Sequence, residues 1–97
     1  MTRSKLNKRV LEHIVLRHPE VAPYANRILE AVEKPDLIVR GSRGEFKALR
    51  FYSDLHIGRK YLVVVYDERG NERIIITAYF TSNIGKVKGE VMWRKPQ

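Results

Sequence analysis

The feature that most constrains this chain is a change of hydrophobic period at residue 37. Before it, apolar residues return every three or four positions; after it, they alternate or run together. A helical stripe cannot serve as a strand face, nor the reverse, so the chain divides into a helical first third and a β-rich remainder. With 97 residues the pattern fits one compact α+β domain over 1–97, two helices followed by a meander of about four strands.

In the first third, Leu6, Val10, Leu11, Ile14, Val15 and Leu16 predict an amphipathic helix over about 4–17, with Ser4 as its N-cap. Pro19 biases His18 away from helical dihedrals and ends that helix. A second stripe, Val21, Tyr24, Ala25, Ile28, Leu29 and Val32, predicts a helix that has Pro23 in its first turn and stops before Lys34-Pro35-Asp36. Strands are then expected at Leu37–Arg40, Glu45–Ser53, Tyr61–Tyr66 and Arg73–Phe80, with turns at 41–44 and 67–72. The unbroken apolar block Tyr61–Tyr66 suits a central strand covered on both faces. The tail from Gly85 to Trp93 reads as a last short strand or an ordered arm, with Trp93 expected to dock it on the core.

Charge narrows the class of partner. Nineteen Lys and Arg against eleven Asp and Glu leave +8 and a pI near 10.1, the balance of a protein that meets a polyanion. Residues 1–10 hold four bases and no acid, and residues 84–97 hold four bases and one acid, so the ends carry most of the excess. The absence of cysteine excludes disulfides, thiolate nucleophiles and Cys-based zinc sites, and permits a reducing cytoplasm. Apolar runs are too short for a membrane span, and the basic start lacks the apolar stretch of a signal peptide.

The densest chemistry lies in Glu12-His13-Ile14-Val15-Leu16-Arg17-His18-Pro19-Glu20. On a helix, His13 and Arg17 share a face and could converge on one anion; His18 could turn back toward that face where Pro19 breaks the helix. Imidazole can act as general base or acid near neutrality, and guanidinium can grip a phosphate with two bonds. From spacing alone, a histidine favoured at a helix C-terminus is the simpler account. The histidine spacing fits no common zinc pattern. In Ile74-Ile75-Ile76-Thr77-Ala78-Tyr79-Phe80, alternation puts Ile75, Thr77 and Tyr79 on one face, a hydroxyl beside a phenol. Arg50 and Tyr52 share a face on the preceding strand, either as a base and aromatic for RNA or as a Tyr packed under an Arg stem. Arg43, Lys86 and Lys88 complete the candidate nucleic-acid contacts. The glycine-rich loops and elbows of phosphate binding and acyl transfer are missing.

Taken in order, Glu12-His13-Ile14, Arg17-His18-Pro19-Glu20, Pro35-Asp36, Tyr61-Leu62-Val63-Val64-Val65, Ile76-Thr77-Ala78-Tyr79 and Gly89-Glu90-x-x-Trp93 resemble the phage-associated nuclease-like domains of the barnase, EndoU, colicin and RelE type. The resemblance spans about residues 10–93. It implies an α+β fold with N-terminal helices packed on an antiparallel sheet, and metal-independent, cofactor-free cleavage of RNA as a toxin or effector. It further implies a catalytic set of His13, Arg17, His18 and Thr77, with Arg50 as an extra member. Implied partners are an RNA, such as a transfer or messenger RNA, and a cognate antitoxin or immunity protein. A non-catalytic RNA- or DNA-binding module and a protein-interaction domain remain the alternatives that composition allows.

Overall fold

The computed structural model describes residues 3–96; Met1, Thr2 and Gln97, parts of the two basic ends, lie outside the described residues. In chain order the elements are β1 (Arg3–Lys5), α1 (Lys8–Arg17), a 3₁₀ helix (Pro19–Tyr24), α2 (Arg27–Glu33), β2 (Leu37–Arg40), β3 (Phe46–Tyr52), β4 (Lys60–Arg69), β5 (Glu72–Thr81), a 3₁₀ turn (Ile84–Lys86) and β6 (Glu90–Arg94). The strands form one sheet in the order β1-β5-β4-β3-β2-β6.

The expected meander is β2 to β5, in which each strand pairs antiparallel with the next. Two short strands extend it, β1 running parallel to the start of β5 and β6 antiparallel along β2. The antiparallel sheet of about four strands is therefore a mixed sheet of six. Between β4 and β5 the turn is the pair Gly70-Asn71, and Gly70 takes the positive φ of 61° that closes it.

Helix boundaries shift for local reasons. The first helix starts at Lys8 because Ser4 is drawn into β1, and Asn7 caps it instead, its side chain accepting the Val10 N–H at 2.9 Å. At the other end His18 leaves helical dihedrals (φ −131°, ψ 72°) ahead of Pro19, as expected. The second stripe is two elements rather than one helix. Pro23 falls inside a 3₁₀ segment, and α2 begins only at Arg27.

These elements bury one face of the sheet. Ile14, Val21, Tyr24, Ile28, Ala31 and Val32 pack against Ala48, Tyr52, Leu62, Val64, Tyr66, Ile75 and Ala78. Each fully buried Ile, Leu or Val contributes about 1.5–3 kcal/mol relative to exposure. The opposite face, here the far face, carries a second cluster of Leu37, Val39, Leu49 and Val63. Since β5 and β6 sit on opposite sides of the meander, residues 82–89 cross this face, and Val87 packs on the cluster. β4 thus has both its faces covered, as its apolar block predicted. The tail docks differently from expectation. Trp93 remains 42% exposed, and β6 is held by its backbone ladder to β2 and by the Lys95 N–H donated to the Asp36 carbonyl at 2.8 Å.

Candidate active site

One cleft of about 440 Å³ is lined by His13, Arg17, His18, Ile76, Thr77 and Tyr79. Two elements supply it, the C-terminal half of α1 and the C-terminal half of β5. His13 and Arg17 are one turn apart on the exposed side of α1, whose buried anchor is Ile14. His18 is fixed by its own backbone: its N–H closes the helix on the Ile14 carbonyl at 2.7 Å, and its carbonyl accepts the Val21 N–H at 3.0 Å. The non-helical dihedrals turn its imidazole back beside His13 and Arg17. There the ring stands 5.8 Å from the Tyr79 ring, and Nδ1 lies 3.6 Å from Glu20 Oε1, within reach of an ion pair when the imidazole is protonated.

On the β5 side, β1 pairs only with Glu72–Ile74, so among the described residues no strand covers the outer edge of β5 beyond that point. A bulge also breaks the register there. Tyr66 faces Ile75 but Val65 faces Thr77, which leaves Ile76 as the extra residue, 42% exposed in the cleft. This corrects the expected alternation. Ile75 points into the helix-side core with Tyr66, whereas Thr77 and Tyr79 point to the far face. Past the bulge, Thr77 and Tyr79 line the cleft beside the uncovered edge. Burial raises the Tyr79 pKa above the ordinary phenol value.

Four of the residues expected to act together, His13, Arg17, His18 and Thr77, line this cleft with Tyr79. Arg50 and Tyr52 do not join them. Tyr52 is buried on the helix side, and its hydroxyl donates to Glu30 Oε1 at 2.6 Å; burial, then Glu30, pushes its pKa far above the usual phenol range. The Arg50 guanidinium lies over that ring at 5.5 Å, donates from Nη1 to the Lys34 carbonyl at 2.7 Å, and brings Nε to 3.6 Å from Glu30 Oε1. This is the packed Tyr under an Arg stem, with no aromatic surface left for a base. Arg43 and Lys88 line a second cleft, and Lys86 is exposed on the crossing segment without lining either. Glu20 had no assigned part in the sequence reading, although its place two residues after His18 was the available signal.

Chemically the cleft offers two imidazoles, a fixed cation and two hydroxyl donors. Among the described residues no carboxylate lines it, and no group of three or more His, Asp or Glu is arranged to hold a metal ion. No family model matches the chain, and no curated protein or solved structure is significantly similar to it. The fold and cleft define it as a small, basic α+β protein with a histidine-arginine site at a sheet edge.

Proposed function

We propose that the chain is a metal-independent endoribonuclease of toxin or effector type, which acts on cytoplasmic RNA and is restrained by a cognate antitoxin or immunity protein. The observation that carries this reading is the convergence of His13, Arg17, His18 and Thr77 on one cleft. One imidazole takes the proton of a ribose 2′-OH as that oxygen attacks the adjacent phosphorus. The bond from phosphorus to the 5′-oxygen breaks, and the leaving oxygen receives a proton from the other, protonated imidazole. Arg17 pairs with the non-bridging oxygens, and the Thr77 hydroxyl donates to the charge that grows on them. The products are a 2′,3′-cyclic phosphate and a free 5′-OH.

Positioned acid-base groups contribute roughly 10²–10⁴-fold in rate. Total RNA incubated with the protein in EDTA should therefore yield fragments with cyclic phosphate ends, and His13→Ala and His18→Ala should each slow their formation by such a factor while staying folded. RNA that is bound but uncut by the wild-type chain, or cut equally well by both folded variants, removes the catalytic reading.

A further inference from the structure

A second cleft, of about 500 Å³, lies where the β2–β3 turn meets the start of β6, lined by Arg40, Gly41, Ser42, Arg43, Glu45, Lys47, Lys88, Gly89 and Glu90. Its four bases outnumber its two acids, and among the described residues none of those bases makes an ion pair. Glu45 is engaged locally, since its Oε1 accepts the Arg43 N–H at 3.2 Å. Lys47 is held in place, its Nζ donating to the Lys88 carbonyl at 2.9 Å, whereas Arg40 turns to the helix-side face and lies over the Phe46 ring at 5.4 Å. Gly89 lets the chain pass close to β2, because a Cβ there would come 2.6 Å from the Arg40 carbonyl oxygen.

The sheet register ties this cleft to the histidine cleft. Thr77 pairs with Val65, and Val65 pairs with Lys47, so the three side chains form one row across the far face. Neighbouring strands are about 4.8 Å apart, which places the Thr77 and Lys47 backbones about 10 Å from each other. Thr77 lines the first cleft and Lys47 the second, with only half-buried Val65 between them. Asp67, two residues beyond Val65 on β4, Glu45, two residues before Lys47, and Glu90 flank the row.

We infer that the second cleft is a phosphate subsite for a single strand of RNA, which runs from the histidine cleft across Val65 to Arg43, Lys47 and Lys88. This rests on the ribonuclease reading only for the direction of the strand; the binding itself does not require cleavage. A single strand suits a narrow row, because its backbone can follow a groove that a duplex cannot enter. The subsite contacts phosphates, so it reads length and charge rather than base identity.

The test uses the whole chain carrying His13→Ala, with labelled 4- and 12-nucleotide single-stranded RNAs titrated between 50 and 200 mM salt by fluorescence anisotropy. Adding Arg43→Gln and Lys47→Gln should weaken 12-mer binding about three- to thirtyfold, as expected for two exposed contacts. The slope of log K against log salt should fall by about 1.4, at about 0.7 per lost single-strand contact. Single-stranded DNA should show the same losses. Arg43→Gln alone, in an exposed turn, should show about half of the slope change and guards against misfolding of the double variant. Unchanged 12-mer affinity and slope, or duplex RNA bound as tightly as single strands, overturns the subsite. If the parent never cleaves but the slope still falls, the subsite stands and the catalytic reading fails.

Discussion

Replacing Thr77 with valine isolates the role of one hydroxyl. Both side chains are β-branched, so the strand and its bulge keep their shape. Among the described residues the Thr77 hydroxyl has no intramolecular hydrogen-bond partner, and it lines a cleft open to solvent. Its loss should therefore change folding stability by less than about 0.5 kcal/mol, the range of ordinary surface substitutions. The transition state is another matter. A hydrogen bond to a charged oxygen is worth about 1.5–3 kcal/mol, which converts to a loss of about 10- to 150-fold in kcat/KM. Cleavage of a dinucleotide that reaches only the histidine cleft measures this, with urea melts run in parallel. A Val variant with full activity, or one whose activity loss tracks a loss of stability, refutes the assigned role.

Three other substitutions probe separate parts of the structure. Arg17→Lys keeps the charge but gives up the two-pronged grip, so kcat/KM should fall about tenfold while the salt dependence of RNA binding stays as it was. Tyr52→Phe removes the bond to Glu30 and should cost about 1 kcal/mol at neutral pH in urea unfolding. The folded Tyr52 pKa is raised, so its contribution is complete below the unfolded value near ~10 and is lost as pH climbs above it. The alkaline fall in stability should accordingly be shallower in the Phe variant, with a remainder from Tyr66 and Tyr79, whose pKa values burial also raises. Gly89→Ala must place a side chain at φ +146° against the Arg40 carbonyl, and should destabilise by about 1–3 kcal/mol, followed by Trp93 fluorescence on the adjoining strand.

The sequence displays some of this and hides the rest for physical reasons. β2 to β5 were legible because each presents an apolar face that only a strand can align. β1 was not, since a strand of three residues owes its form to the edge it pairs with, and β6 was legible only as one of two readings of the tail, a last short strand or an ordered arm. The bulge in β5 is invisible because it falls within Ile74-Ile75-Ile76, where three identical side chains conceal a slip of phase. Thr77 and Tyr79 were still placed together, because the slip lies before both of them. His13 and Arg17 followed from helical spacing and His18 from the proline after it. Lys47 was overlooked, although a base on the face of β3 opposite Arg50 was the available sign. Arg50 and Tyr52 were left with two readings, and the contacts of Tyr52 with Glu30 and of Arg50 with the Lys34 carbonyl select the packed one, because α2 covers the face they share.

The central claim is that the cleft directs a 2′-OH against the neighbouring phosphorus, and a defined oligonucleotide tests it most directly. The wild-type protein is incubated in EDTA with a short RNA and with the same RNA carrying a single 2′-deoxyribose at the mapped cleavage step, and the products are weighed by mass spectrometry. Cleavage of the first to a 2′,3′-cyclic phosphate, with none at the deoxy step of the second, is the predicted result. Cutting at the deoxy step, or products that never carry the cyclic phosphate, contradicts it.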